Sequence, residues 1–262
     1  MSPARPLVFI TGASSGIGQA LAMRFHAAGY RLALAARRTA EVQAWAVSQG
    51  FEPGRFAVYA ADVRDTTAIT GAGRACIAAL GLPDVVIASA GISVGMDTAV
   101  FDDLEVMRSV FETNNLGTAA TFQPFVGAMR ERGSGALVGI ASVAAIRGLP
   151  GHGAYCASKA GVVAYCESLR GELRRSGVQV VTIVPGYIDT PLTRKNPYGM
   201  PFLMPADVFA DRALKAITAG TSYRVIPWQM GVLAKLLRLL PNALFDKLLA
   251  GRGRKPRQTD RA

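Results

Sequence analysis

The sequence is poor in the residues that build metal centres and disulfide frameworks. Its 262 residues include only three cysteines and two histidines. Cys76, Cys156 and Cys166 are odd in number and match no metal-binding spacing, which predicts reduced, buried thiols in a cytosolic protein. His26 and His152 each stand apart from other ligand-type side chains, so we expect no metal site.

Long apolar runs are also missing. No uninterrupted apolar stretch of roughly 18 residues occurs, and such a stretch is what a membrane-spanning helix needs. The run at 7–10 is too short for a secretory signal and fits a first strand. Charged residues make up only 18% of the chain and hydrophobic residues 50%, which excludes a disordered protein and predicts a sizeable core.

The net charge of +11 is spread unevenly along the chain. From Lys235 onward, eight basic residues stand against two acidic ones, which accounts for more than half of the excess. The charge is therefore mainly a property of the carboxyl-terminal segment and not of a basic groove across the fold. We expect no nucleic-acid partner; binding through the tail, which remains an alternative, predicts steeply salt-dependent retention on DNA.

Apolar, β-branched runs alternate with helical patterns along the whole chain. The runs predict strands at 7–11, 31–36, 56–60, 84–88, 135–141, 178–184 and 223–227. Amphipathic stretches between them predict helices, among them 17–28, 66–80, 104–132 and 155–175. Strands that are apolar on both faces and separated by helices indicate an α/β fold, a doubly wound parallel sheet of Rossmann type with helices on both faces. No repeat or linker divides the chain, so we expect a single domain.

A glycine-rich turn follows the first predicted strand. It reads TGASSGIG at 11–18 and runs directly into a helical pattern. Glycine lets the backbone turn sharply and approach a ligand where a side chain would collide. The helix that follows offers unpaired N–H groups and a positive dipole end, which suit a pyrophosphate. This context predicts a dinucleotide site that includes Gly12, Ser14, Ser15, Gly16, Ile17 and Gly18.

The end of the second predicted strand selects between the two nicotinamide cofactors. A protein that takes the unphosphorylated cofactor usually places Asp or Glu there, to hold the ribose 2′-hydroxyl. This chain has Ala36 followed by Arg37 and Arg38, and a guanidinium grips a 2′-phosphate with paired, charge-assisted hydrogen bonds. Ser14 could add a hydroxyl. The pattern favours NADP(H), the alternative being two solvated arginines that start a surface helix.

Tyr155 and Lys159 stand four residues apart in a helical pattern, so their side chains share one face. A tyrosine with a pKa of about 10 is a poor base at neutral pH. A nearby cation favours the phenolate and lowers the phenol pKa. The pair alone is weak evidence, because it arises by chance in many helices.

Several motifs occur together in a specific order. They are the glycine turn, Asp62-Val63, Asn114, Ser142, the Tyr155/Lys159 pair and Pro185-Gly186. This pattern, over about residues 6–220, resembles the compact NAD(P)-dependent branch of the short-chain dehydrogenase/reductase family. The nucleotide-sugar epimerase branch resembles TGxxGxxG and needs a longer carboxyl-terminal domain, whereas this turn is TGxxxGxG, which disfavours an epimerase.

The resemblance implies a role for each catalytic residue. Tyr155 would donate a proton in carbonyl reduction or accept one in alcohol oxidation. Lys159 would hold the nicotinamide ribose and lower the pKa of Tyr155. Ser142 would hydrogen-bond the substrate oxygen. Asn114, rather than its neighbour Asn115, would anchor a water that relays protons toward Lys159.

The resemblance also assigns further cofactor contacts. Asp62 would meet the adenine amino group beside the Val63 backbone, and Pro185, Gly186, Ile188 and Thr190 would contact the nicotinamide carboxamide. The family commonly has Asn-Asn-Ala-Gly after the fourth strand, whereas this chain has Ala88-Ser89-Ala90-Gly91. Ala90 and Gly91 still permit close approach to the cofactor ribose, and the missing amides put in doubt how the loop is braced.

Two segments fall outside these motifs. The stretch at about 191–205 resembles the family's variable substrate loop, and its apolar side chains indicate a hydrophobic carbonyl substrate or serve only as structural fillers. We divide the chain into a catalytic domain at 1–227 and an amphipathic basic extension at 228–262. That extension either lies on an anionic bilayer surface or packs its leucines on the domain or a second subunit, which leaves a solvated basic tail.

These observations predict an NADPH-dependent oxidoreductase that interconverts a ketone or aldehyde and an alcohol. The alternative is an NADP(H)-binding sensor or scaffold of the same fold without significant turnover. The resemblance implies a homodimer or homotetramer that pairs through the helices at 114–132 and 155–175. We expect a cytoplasmic protein, with peripheral membrane contact through the extension as a further hypothesis.

Overall fold

A computed structural model describes residues 5–194, 196, 198–251 and 255–257 of the chain. The strands are β1 (Leu7–Thr11), β2 (Arg31–Ala36), β3 (Phe56–Ala60), β4 (Val85–Ala88), β5 (Gly135–Ile140), β6 (Val178–Pro185), β7 (Ile188–Asp189), β8 (Met204–Pro205) and β9 (Tyr223–Ile226). The α-helices are α1 (Gly16–Ala27), α2 (Thr39–Ser48), α3 (Thr66–Leu80), α4 (Asp103–Phe111), α5 (Gly117–Arg132), α6 (Gly153–Glu172), α7 (Ala206–Thr218), α8 (Trp228–Leu239) and α9 (Asn242–Leu249).

Seven parallel strands form the main sheet in the order β3-β2-β1-β4-β5-β6-β9. The predicted Rossmann-type fold and single domain are confirmed. The strand order reverses between β1 and β4, and in a doubly wound sheet ligands bind outside the carboxyl ends of the strands at such a point. The glycine turn leaves β1 at this place.

Each face of the sheet packs against its own hydrophobic core. All five residues of β1 are buried, with Val8 and Ile10 in one core and Leu7 and Phe9 in the other. Side chains of a strand point alternately to opposite faces, so this division follows directly from the sequence order. The arrangement explains why the strands read as continuous apolar runs.

The predicted helix at 104–132 is interrupted at its centre. A π-helical segment, Glu112–Leu116, separates α4 from α5 and contains Asn114. Such a segment inserts an extra residue into a helix and often marks a functional site. The predicted strand ends at 84, 141, 184 and 227 each lie one residue from the observed ends.

A second, two-stranded sheet brackets the segment predicted to be a substrate loop. Ile188 pairs with Met204 and Asp189 pairs with Pro205, both in parallel register. The segment between these two strands therefore begins and ends at the same two-stranded sheet. No helix in the described part of the chain is long and apolar enough to cross a membrane.

The carboxyl-terminal helices pack on the domain with one face only. In α8, Met230 and Ala234 are buried, whereas Trp228, Leu236 and Leu239 on the opposite side are exposed. The α8 leucines therefore match neither the bilayer hypothesis nor the packing hypothesis completely. The inner face of the helix packs on the domain, and its outer face is exposed in the single chain.

The segment after α9 returns toward the body of the domain. Gly95 and Arg257 form an isolated parallel bridge, and Lys255 is only 6% exposed. The expectation of a solvated basic tail is therefore wrong for these residues, because backbone pairing and a buried environment hold them. Three other basic residues of the tail, Arg252, Arg254 and Arg261, lie outside the described residues.

Candidate active site

The carboxyl ends of β1, β4, β5 and β6 meet at one edge of the sheet. The glycine turn follows β1, the 89–91 segment follows β4, Ser142 follows β5, and the Pro185-Gly186 pair ends β6. Parallel strands place these ends together, so residues distant in sequence share one site.

The glycine turn is shaped as predicted for close backbone approach. Gly12 and Gly16 have φ values of +70° and +57°, a region that other residues rarely adopt. A Cβ on Gly18 would collide with the carbonyl oxygen of Gly12, and one on Gly12 would lie 2.8 Å from Ala90. Ser15 occupies the cap position of α1 and makes no side-chain capping bond. Ile17 packs against the core behind the turn.

Polar side chains surround the predicted 2′-phosphate position. Arg38 donates to Ser14 Oγ at 3.4 Å, and Arg37 lies 3.9 Å from an oxygen of Asp62. Both arginines are largely exposed. Arg64, which we did not predict, binds Asp62 through its backbone N–H and its guanidinium, at 2.7 Å for the closest contact. Arg64 thereby lowers the pKa of Asp62.

The 89–91 segment after β4 is held by Thr11 despite the missing amides. Thr11 Oγ1 accepts hydrogen bonds from the backbone N–H groups of Ser89 and Ala90 at 3.2 and 3.4 Å. A Cβ on Gly91 would lie 3.2 Å from Asn114 Oδ1 and 3.4 Å from Lys159 Nζ. The absence of a side chain on Gly91 therefore keeps open the space between these two groups.

Asn114 ties Ile92, the residue after this segment, to α6. Its Oδ1 accepts from Ile92 N–H at 2.9 Å, and its Nδ2 donates to the Ile92 carbonyl at 3.0 Å and to Ser158 Oγ at 2.9 Å. The residue is completely buried. Asn115 instead donates to the Ser158 carbonyl, so the two asparagines have separate partners on α6. Ser158 is a second positioning residue that the sequence motifs did not indicate.

Tyr155 and Lys159 lie on one face of α6, as their spacing predicts. The Lys159 ammonium stands 5.9 Å from the Tyr155 ring centroid and donates to the Ile140 carbonyl at 2.8 Å. Burial lowers the pKa of Lys159 to about 8. Charge on a lysine is costly away from water, and a pKa in this range lets the group hold or release a proton near neutrality.

Burial raises the pKa of the Tyr155 phenol, and a hydrogen bond with Ser142 acts in the opposite direction. The expected lowering of this pKa by Lys159 is wrong for this arrangement, because desolvation outweighs the other influences. Ser142 lies at the start of a short 3₁₀ turn, and its Oγ accepts from Ala144 N–H at 3.2 Å. The phenol and the serine hydroxyl thus point to one place, with the phenol protonated at neutral pH.

Tyr155 and Ser142 face a cavity of about 890 Å³ with a mainly apolar wall. The inner faces of α8 and α9 supply much of that wall, together with the substrate loop. His152 also borders the cavity; its Nδ1 lies 3.0 Å from the Pro150 carbonyl and its Nε2 lies 3.0 Å from the Tyr198 hydroxyl. The mutual position of loop, extension and tyrosine was not predictable from local patterns.

The residues predicted to meet the nicotinamide lie between the glycine turn and this cavity. Thr190 is 3.4 Å from the place a Cβ on Gly16 would occupy. A Cβ on Gly186 would lie 2.7 Å from Met230, so α8 packs directly on the turn after Pro185. Ile188 is buried in the core. The cofactor-side residues and the cavity are therefore adjacent.

Comparisons with known proteins agree with this geometry. A family model described as short chain dehydrogenase matches residues 6–199. An oxidoreductase of Myxococcus xanthus is 39% identical over 242 residues, which cover 90% of this chain and 93% of that protein.

Solved structures are similar over most of the chain. A short-chain dehydrogenase from Sphingobium yanoikuyae in complex with NADPH has a TM-score of 0.76 at 25% identity and covers 91% of this chain and 97% of that one. A short chain dehydrogenase/reductase from Burkholderia phymatum in complex with NAD shares the fold, with a TM-score of 0.78, 22% identity and coverage of 88% and 92%.

Replacement of Asn114 by alanine tests the connection between Ile92 and α6. The change leaves the half-buried N–H and carbonyl of Ile92 and the hydroxyl of Ser158 without this partner, so we expect the free energy of unfolding to fall by about 2–4 kcal/mol. Urea denaturation measures it. Asn115→Ala, which removes one such bond, is the matched control and should cost about 1 kcal/mol. Equal losses in the two variants would contradict the special role of Asn114.

Proposed function

This chain belongs to the short-chain dehydrogenase/reductase family, and we propose that it interconverts a ketone or aldehyde and an alcohol with NADP(H). The observation that carries the proposal is the convergence of Tyr155 and Ser142 on one cavity, with Lys159 one helical turn behind the phenol. The glycine turn lies along the same sheet edge, where a dinucleotide would reach the two hydroxyl groups.

The residues present fit a dinucleotide. Gly12, Gly16 and Gly18 leave the backbone open toward the start of α1, and Gly91 leaves space beside Asn114 and Lys159. The glycine turn and the first turn of α1 would hold the pyrophosphate, and Lys159 the nicotinamide ribose. When bound, the nicotinamide supplies or accepts the hydride exchanged with the carbonyl carbon.

Arg37, Arg38 and Ser14 support the phosphorylated cofactor. The bond from Arg38 to Ser14 places a guanidinium and a hydroxyl side by side next to the glycine turn. Arg38 pairs with Glu41 at 3.3 Å, and Asp62 is paired with Arg64 and Arg37. Each oxygen of Asp62 already accepts two hydrogen bonds from Arg64, so a contact with the adenine amino group would require one of these bonds to be exchanged.

Tyr155 carries the proton in this proposal. Its raised pKa keeps the phenol protonated at neutral pH, which suits donation to a carbonyl oxygen during reduction. Ser142 orients that oxygen by a second hydrogen bond. Lys159 and the Asn114 network stand behind the phenol, where a proton can be returned after each turnover.

The cavity supports a hydrophobic substrate. It is large enough for a drug-sized molecule, and such pockets are mainly apolar with a few placed polar groups. Met230, Leu233, Leu237 and Phe245 line it opposite the loop residues. We therefore assign the substrate loop and the extension to recognition of the apolar body of the carbonyl compound.

Two surfaces support assembly and membrane contact. Leu104, Met107 and Leu116 are exposed along α4 and the π-helical segment, next to the helices through which we propose that two copies pair. On α8, the exposed Trp228 and Leu239 stand near Lys235 and Arg238, and an apolar stripe bordered by cations suits an anionic membrane surface. Both assignments stay predictions.

Replacement of Tyr155 by phenylalanine tests the catalytic assignment. Loss of an oriented proton donor should lower kcat in carbonyl reduction by about 10²–10⁴-fold, while NADPH still binds. Turnover comes from a carbonyl panel and binding from calorimetry. Tyr165→Phe, a partly buried tyrosine farther along α6, is the matched control and should stay near the unaltered protein. Near-normal turnover in Tyr155→Phe would contradict the assignment, and tight NADPH binding without turnover in the unaltered protein would favour the sensor alternative.

Replacement of Arg37 or Arg38 by alanine tests the choice of cofactor. Each charge-assisted bond to a phosphate is worth about 1.5–3 kcal/mol, so we expect the Kd of NADPH to rise about tenfold to a hundredfold, with that of NADH little changed. Calorimetry with both cofactors measures this, and Arg170→Ala, an exposed arginine at the far end of α6, is the control. Equal loss of NADH and NADPH affinity would refute the 2′-phosphate contact.

A further inference from the structure

The inner face of α8 presents a row of apolar side chains to the cavity. This inner row occupies the i, i+3, i+4 and i+7 positions of one helical face and consists of Met230, Leu233, Ala234 and Leu237. A helix rises about 1.5 Å per residue, so the row is about 10 Å long. The cavity therefore extends along about two turns of α8.

The inner row begins beside the turn that we predict to meet the nicotinamide. A Cβ on Gly186, in the turn at the end of β6, would lie 2.7 Å from Met230. On α9, Leu248 lines the same cavity and is 48% exposed, so this part of the wall reaches the surface of the single chain. The cavity thus has space for a chain that begins at the reacting groups and runs outward along the two helices.

Arg147 holds the other end of α8. Its guanidinium donates to the carbonyls of Leu237 and Leu240, the latter at 2.8 Å. It also donates to Asn242 Oδ1 at 3.1 Å and lies 3.7 Å from the Phe245 ring centroid. The last carbonyls of a helix have no partner within the helix, and a cation at that end is favourable. One side chain therefore fixes the end of α8, the turn after it and the ring of α9 that faces it.

Arg147 belongs to the segment that also carries Ser142. This segment lies between β5 and α6 and includes the 3₁₀ turn Val143–Ala145. Ser142 and Arg147 both line the cavity, as Phe245 does from α9. The hydroxyl that orients the carbonyl and the wall that borders the rest of the substrate are therefore joined through the Arg147 guanidinium.

We propose that the substrate is a carbonyl compound with a long, extended apolar chain, and that Arg147 is a positioning residue that sets the chain length by holding the α8–α9 wall in place. A chain that lies along the inner row loses contact with water one methylene at a time. Full burial of a methylene raises affinity about fourfold. This inference rests on the proposed function, since Tyr155 and Ser142 define where the carbonyl oxygen lies.

A series of straight-chain methyl ketones with NADPH tests the inference, from 2-pentanone through 2-heptanone to 2-decanone. In the unaltered protein we expect kcat/KM to rise with each added methylene, by up to about fourfold per step and mainly through KM. Arg147→Met should lower the ratio of kcat/KM for 2-decanone to that for 2-pentanone about tenfold or more. Arg74→Met, at an exposed arginine of α3, is the matched control and should keep the ratio.

Two outcomes of this series overturn the inference while the proposed reaction stands. One is the same kcat/KM for all three ketones in the unaltered protein. The other is a uniform loss for all three in Arg147→Met, because Arg147 would then act on the Ser142 segment and not on the position of the chain.

A second variant tests the α9 end of the wall at a position where the fold tolerates a larger side chain. Leu248 is about half-exposed, and Leu248→Trp should lower the 2-decanone to 2-pentanone ratio about tenfold because the indole takes space from the end of the chain. Leu244→Trp, at a leucine of α9 that is 57% exposed and does not line the cavity, is the matched control. Equal ratios in the two tryptophan variants overturn the inference.

Binding distinguishes the inference from failure of the proposed reaction. If no ketone is reduced, calorimetry with pentanamide and nonanamide in the presence of NADPH still tests the chain site. Nonanamide binding at least about tenfold tighter than pentanamide, with the difference lost in Arg147→Met, supports the chain site although the carbonyl reaction is wrong. Equal affinity for the two amides overturns the inference.

Discussion

The buried amide of Asn114 joins three parts of the chain that are far apart in sequence. It pairs with both backbone groups of Ile92 and with the hydroxyl of Ser158 on α6. A buried amide is costly unless its partners are complete, so the segment after β4, the π-helical segment and α6 hold one mutual position. Tyr155 and Lys159 lie on α6, and their place beside the glycine turn depends on this constraint.

Sequence patterns predicted the parts of the site that residues close together in the chain determine. The glycine turn and the shared face of Tyr155 and Lys159 follow from short spacings along the chain. The π-helical segment did not, because an extra residue in one turn leaves little trace in the periodicity of 104–132. The direction of the Tyr155 pKa shift was also missed, since desolvation depends on the tertiary surroundings of the phenol.

The segment at 255–257 shows the same limit over a longer distance. Lys255 binds Ser93 and Arg257 binds Asp103, which lie 162 and 154 residues away. The pattern of a basic tail does not predict such contacts. The domain, α8, α9 and Lys255 together line one cavity, although we had divided the chain after residue 227. The site that we propose therefore combines a nucleotide edge with a cavity wall to which the extension of this chain contributes.

Transfer of deuterium tests hydride chemistry at this site most directly. The unaltered protein is incubated with a reducible ketone and with NADPH labelled at C4 of the nicotinamide, first on one face and then on the other. We expect one deuterium on the alcohol carbon of the product with one of the two labelled cofactors and none with the other, as read by mass spectrometry. An alcohol that carries no deuterium from either cofactor would contradict the account.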